Sequence, residues 1–192
     1  MNTSCSKQAL RGEMTRRRAG LDAKTREAHA RSLADAGLSF ISPPPGAVIS
    51  GYAAIRDELD PLALLRTLAG QGHQIVLPVT VAKGQPLVFR CWEPGAPLNK
   101  GGFSVPEPGP DVRELIPDIV LAPLLAFDAR GYRLGYGAGY YDRTLASLRG
   151  KKPTIAIGLA FDAQQVDEVP HDEHDQRLDW VLTPSGPIGI ER

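Results

Sequence analysis

The residues best suited to chemistry lie in one short run, Arg133-Leu-Gly-Tyr-Gly-Ala-Gly-Tyr-Tyr-Asp-Arg143. Glycines at 135, 137 and 139 let the backbone approach a ligand and adopt positive φ without steric cost. The N–H groups of such a run can converge on one anion. A helix predicted over Gly139–Leu148 would aim its positive end at the same point. Arg133 adds a planar guanidinium matched to phosphate oxygens. Asp142 follows closely enough to help hold a metal ion there. The chemistry is phosphate binding. The spacing is not that of a Walker-type loop, because no Lys-Ser or Lys-Thr pair follows, nor that of a dinucleotide fingerprint. On its residues alone the run reads equally as a strand-to-helix connection, with the two tyrosines packed on the inner face of the helix.

The surrounding elements must present that turn. Residues 4–38 carry Leu10, Met14, Leu21, Leu33 and Leu38 near helical spacing, and Asp22 divides the segment and caps its second helix. Pro43-Pro-Pro45 stops the helix. Ala47–Tyr52 and Gln74–Val79 read as strands joined by a helix over Pro61–Ala69, a parallel pair with a right-handed crossover. Leu87–Trp92 is an edge strand after Lys83-Gly84. Glu93–Pro110, rich in Gly and Pro, reads as a functional loop rather than a packed element. Asp118–Ala122, ended by Pro123, forms a second crossover unit with the helix at 139 and a strand at Thr154–Leu159. Trp180–Leu182 adds a last short strand. The expected fold is α/β, a mostly parallel sheet with helices on both faces, in one domain over 1–192. Ligands bind such sheets beyond the carboxyl ends of the strands, where the Glu58 loop, the glycine turn and the Asp175 loop all fall.

Composition narrows the function classes. The 192 residues carry a formal charge of zero, which speaks against a polyanion such as nucleic acid. The run Arg16-Arg-Arg18 reads as a solvated helix face. Cys5 and Cys91 form no CxxC pattern, so a reduced, cytoplasmic setting is expected. There is no signal-peptide core and no apolar run of membrane length. A monomer without a membrane partner is expected.

The segment Pro117–Arg143 resembles the signature of the 5-formyltetrahydrofolate cyclo-ligases, also called methenyltetrahydrofolate synthetases. The resemblance rests on Pro123, Ala126-Phe127-Asp128, Gly131 and the full 133–143 run. It extends in order along nearly the whole chain. Lys7-Gln-Ala-Leu-Arg11, Glu58-Leu-Asp60 and Phe103-Ser-Val-Pro-Glu-Pro108 are similar to the family's earlier elements. Gly158-Leu-Ala-Phe161, Gln165, Val169-Pro170, His174-Asp175, Leu178-Asp179 and Val181-Leu-Thr183 are similar to its C-terminal section.

The resemblance implies a three-layer fold shared with sugar-phosphate isomerases and coenzyme A transferases. It implies ATP- and Mg2+-dependent cyclisation of 5-formyltetrahydrofolate to 5,10-methenyltetrahydrofolate, with ADP and phosphate released. Lys7 and Arg11, four apart on one helix face, would contact ATP with Arg133, Leu134, Gly135, Tyr136, Gly137, Ala138, Gly139, Tyr140 and Tyr141. Arg133, Gly137 and Tyr140 would be catalytic, and Asp142 and Asp175 would hold magnesium. Ala53, Glu58 and Phe103 would contact the folate, Glu58 by accepting pterin N–H groups, with Asp57 and Asp60 as competing acids. Phe103 reads equally as a core residue. Two positions depart from the family pattern: Ala138 stands where Gly or Lys is usual, and Ser104 where Gly is frequent. A nucleotide- or folate-binding paralogue without ring closure is the alternative. A sugar-phosphate isomerase would need a general base beside the turn, and no Glu or His stands there. A zinc site at His171, His174 and Asp175 lacks an anchoring helix or Cys partner.

Overall fold

A computed structural model of the chain describes residues 3–102 and 105–191. Two helices open it, α1 (Thr3–Ala19) and α2 (Ala23–Ala36). Asp22 separates them, its carboxylate accepting the Thr25 N–H at 2.9 Å, one of the donors that a helix start leaves open. β1 (Val48–Ser50), α3 (Leu62–Gly70) and β2 (Gln74–Val79) form the first crossover unit, followed by β3 (Val88–Cys91). Two short paired strands come next, β4 (Asn99–Lys100) and β5 (Pro106–Glu107). β6 (Ile119–Pro123) leads into a small hairpin, β7 (Ala126–Phe127) and β8 (Arg133–Leu134). Then come α4 (Tyr140–Arg149), β9 (Ile155–Leu159), β10 (Trp180–Thr183) and β11 (Gly186–Gly189).

Seven strands form the central sheet in the order β11-β10-β9-β6-β1-β2-β3. β10, β9, β6, β1 and β2 run parallel, and β11 and β3 close the two edges antiparallel. Burial on both faces explains why Ile119–Ala122 is an unbroken apolar run. Ile119 and Leu121 join the cluster of Leu33, Leu64, Leu65 and Leu68 from α2 and α3, whereas Val120 and Ala122 join Leu145 and Leu148 of α4. Helices therefore cover both faces, as the alternation of strands and helices predicts. Helix α1 packs elsewhere: Met14, fully buried, meets Leu125, Ala126, Leu134 and Val169 around the hairpin that follows β6.

The chain proceeds from β1 to β2 on one side and from β6 to β9 and β10 on the other. The reversal between β1 and β6 opens a crevice at their carboxyl ends, where open α/β sheets bind ligands. Three details differ from the sequence reading. The Glu93–Pro110 segment contains β4 and β5, so part of it is a packed element. The β7–β8 hairpin was not anticipated because two-residue strands are too short for a period to register, and β11 was missed because its Gly-Pro-Ile-Gly sequence disfavours a strand reading. Pro123 is the last residue of β6 rather than its stop.

Candidate active site

A cleft of about 310 Å³ lies at the carboxyl end of the sheet. The segment after β1 lends it Tyr52, Ala53, Ile55 and Glu58, and β6 with its extension lends Pro123 and Leu124. Helix α1 supplies Lys7 and Arg11; the turn and the start of α4 supply residues 133–142; the connection from β9 to β10 supplies Asp175. Every predicted site residue that lies within the described residues thus lines one cleft. Phe103 and Ser104 lie outside the described residues. A second groove of about 430 Å³ runs between β3 and α4, but among the described residues Glu114 and Lys151 are its only charged lining.

The glycine turn uses its glycines unequally. Gly137 and Gly139 have φ of 101° and 67°, which a side chain would strain. Gly135 needs no positive φ, and a Cβ there would meet open space. Arg11 braces the turn, its Nε donating to the Gly135 carbonyl at 2.9 Å. Helix α4 starts at Gly139 with no side-chain cap, and its first-turn residues Tyr140, Tyr141 and Asp142 line the cleft. An uncapped helix start of this kind suits an anion.

The hairpin that carries Arg133 is fixed from inside. Asp128, fully buried, accepts the Arg130 and Tyr132 N–H groups on Oδ1 and the Val169 N–H on Oδ2, each at 3.0 Å. Arg133 is itself buried, and it lines the cleft. Its Nη2 donates to Asp142 Oδ1 at 2.8 Å, and its Nη1 donates to the Gln176 carbonyl. Burial pushes its pKa down, against the opposing pull of Asp142 and Asp175. The Gln176 N–H reaches the same Asp142 oxygen at 3.0 Å, which draws the loop of Asp175 to the start of α4. Lys7 Nζ lies 2.7 Å from Asp175 Oδ2 and 3.0 Å from Asp172 Oδ2. Burial works against its charge, but Asp175 and Asp172 prevail and its pKa is raised. His171 stacks on Tyr132 at a centroid distance of 3.6 Å, with Nδ1 3.0 Å from the Val169 carbonyl.

On the opposite wall, the Tyr52 hydroxyl donates to the Leu59 carbonyl at 2.6 Å and pins the loop between them. Glu58 is buried, with Oε2 accepting the Ile55 N–H at 3.0 Å. Burial pushes its carboxyl pKa up, against the Ile55 N–H and Arg18.

The geometry is matched by kinship. Residues 3–184 fit the 5-formyltetrahydrofolate cyclo-ligase family as a whole. The chain belongs to that family. It is 33% identical over 187 residues to the 5-formyltetrahydrofolate cyclo-ligase of Haemophilus influenzae, covering 95% of this chain and 99% of the relative. It is 35% identical over 193 residues to that of Mycolicibacterium smegmatis, covering 95% and 96% of the two chains. Among solved structures, a 5,10-methenyltetrahydrofolate synthetase of Aquifex aeolicus superposes with a TM-score of 0.77 at 24% identity, over 97% of this chain and 93% of that one. One from Mycoplasma pneumoniae gives 0.74 at 23%, over 93% and 98%. At those identities the two structures speak for the fold.

The chain holds one charged residue near the cleft that the sequence reading misplaced. Within Arg16-Arg-Arg18, Arg16 and Arg17 are exposed, but Arg18 is buried. Its Nη2 donates to Asp57 Oδ1 at 2.9 Å and to the Tyr136 hydroxyl at 2.5 Å. The missed signal was spacing: Lys7, Arg11, Met14 and Arg18 follow steps of four, three and four, one continuous stripe of α1. Asp172, the second partner of Lys7, carried no such signal.

Proposed function

We propose that this protein uses ATP to close 5-formyltetrahydrofolate to 5,10-methenyltetrahydrofolate, acting as a cytoplasmic monomer. The observation that carries the reading is convergence. Two cations of α1, an uncapped glycine turn and a buried carboxyl meet in one cleft at the sheet's switch point. Family membership supports it.

In this reading the triphosphate lies along the turn, with Lys7 and Arg11 against its oxygens and the N–H groups of Gly137 to Tyr141 around them. The pterin sits toward Ala53 and Glu58. The formyl oxygen is a poor leaving group. Transfer of the γ-phosphoryl group to it releases ADP and leaves a phosphorylated imidate carbon. N10 of the folate attacks that carbon and gives up its proton. The C–O bond then breaks, and inorganic phosphate departs with the former formyl oxygen. Such a reaction needs positioning and charge stabilisation more than covalent help from the protein. Arg133 orders the start of α4 through Asp142, and Gly137 and Tyr140 frame the reacting phosphoryl group.

Magnesium suits the acids present. Asp142 and Asp175 each offer hard carboxylate oxygens at the phosphate end of the cleft, and magnesium takes one or two carboxylates with phosphate oxygens and water. When bound it screens phosphate charge.

The test mixes purified protein, 5-formyltetrahydrofolate and Mg-ATP and follows the near-ultraviolet absorbance of the methenyl product. Product formed only when ATP is present is the expected result. Binding of both ligands without product would instead make the chain a binding paralogue.

A further inference from the structure

Arg18 sits behind the cleft, its side chain only 1% exposed. Each of its partners belongs to a different part of the site. Tyr136 lies between Gly135 and Gly137 of the turn. Asp57 immediately precedes Glu58. The Leu124 carbonyl, which accepts from Nη1 at 3.2 Å, follows β6.

The geometry is unlike that of a pair made for stability. An arginine facing a carboxylate closes a two-bond fork when it can. Here Nη2 divides itself between Asp57 and Tyr136. Arg18 Nε and Asp57 Oδ2 are left buried without a hydrogen-bond partner among the described residues. Unsatisfied buried polar atoms are uncommon and destabilising, so the arrangement favours reaching Tyr136 over closing the fork. The Tyr136 ring is 43% exposed and lines the cleft, with the guanidinium carbons of Arg18 and Arg56 each 5.8 Å from its centroid. Arg56 holds φ at 56°, a conformation that non-glycine residues seldom adopt. The loop carrying Asp57 and Glu58 is thus kept in a state that its local preferences resist.

We infer that Arg18 is a positioning residue that makes the two binding events interdependent. The chain Tyr136–Arg18–Asp57, beside the direct meeting of the Tyr136 hydroxyl with the Glu58 carboxyl, ties the placement of the glycine turn to that of the Glu58 loop. A ligand that orders one segment therefore prepares the other. The inference rests on the assignment of the turn to ATP and of Glu58 to the folate. Coupling of this kind is reciprocal, and it is measured as the ratio of one ligand's affinity with and without the other.

The experiment measures equilibrium binding of 5-formyltetrahydrofolate with and without a non-hydrolysable ATP analogue and Mg2+. It compares the wild type with Tyr136→Phe, Arg18→Lys and the double variant. Tyr136→Phe removes the hydroxyl that meets Arg18 and Glu58 while keeping the ring, and its melting temperature is read alongside. In the wild type the analogue should tighten folate binding by about fivefold or more. In each variant the ratio should fall close to one, with the double variant no lower than either single, as expected for residues acting through one link. A ratio of one in the wild type overturns the inference. So does an unchanged ratio in both single variants, even if their melting temperatures drop, because that marks a purely structural role. Wild-type formation of methenyl product with unchanged ratios removes the coupling and leaves the function. A wild type that binds neither ligand removes both.

Discussion

Lys7 Nζ sits 2.7 Å from Asp175 Oδ2, so a cation assigned to phosphate and an acid assigned to magnesium are direct partners. Asp172 joins them at 3.0 Å. In the proposed reaction, Lys7 exchanges these carboxylates for phosphate oxygens as Asp175 takes up the metal. Both side chains are partly buried, with exposures of 15% and 21%, but both line the cleft, where an incoming phosphate can reach them. Exposed ion pairs contribute about 0–1 kcal/mol, and this partly buried pair stands at the upper end of that range.

Lys7→Met should therefore raise the KM for ATP by about tenfold or more, the loss expected for a hydrogen bond to a charged group. Its melting temperature should move by less than about 4 °C, the shift from 1 kcal/mol in a chain of this size. Steady-state kinetics across ATP concentrations and calorimetry check both. An unchanged KM would take Lys7 out of the nucleotide site.

Asp142→Asn should behave differently. Arg133 is nearly sealed, at 4% side-chain exposure, and Asp142 is its carboxylate partner at 2.8 Å. Neutralising that partner leaves a buried cation undercompensated. Because Asp142 is a quarter exposed, a discounted loss of about 2–3 kcal/mol is expected, a melting shift of roughly 4–12 °C. Turnover should fall with it. Thermal denaturation without substrates isolates the structural part.

Glu58→Gln should stabilise the protein while weakening folate binding. The folded carboxyl pKa lies above its ordinary value, so between those values the folded state binds more protons than the unfolded. Stability due to Glu58 therefore falls as pH rises through that window. The variant's advantage should be absent in acid and should grow as pH rises through that window. The KM for folate should rise more than that for ATP. Melting curves from acid to neutral pH test the first claim, and equal loss of both ligands would refute the second.

Gly137→Ala should injure the turn in two ways. At φ of 101° a side chain strains the backbone by about 1–3 kcal/mol. The new Cβ would also lie 3.2 Å from the Arg11 guanidinium and crowd the brace on Gly135. Weaker ATP binding with near-native folate binding is the expected result, read by titration with each ligand separately.

Much of the architecture was legible because burial leaves a period in the chain. Gln74–Val79 reads as a strand and is β2 residue for residue. Asp22 reads as a cap and accepts the Thr25 N–H. The Lys7/Arg11 spacing places both on the cleft side of α1. The two-residue strands of the β7–β8 hairpin left no readable period, yet that hairpin, pinned by Asp128, decides where Arg133 goes.

The order and chemical character of residues were enough to assign the family, the parallel sheet and the set of groups that gather at its carboxyl end. They could not say which charges neutralise one another. Arg18 looked solvated within a basic run because its partners lie 39 and 118 residues away. Arg133 read as a fork for phosphate, and nothing in its neighbourhood showed that Asp142 of the next helix would be its carboxylate partner. A periodic pattern records which side of an element meets apolar surroundings. Whether a buried charge is tolerable depends on a counter-charge from another segment, and folding alone brings the two together.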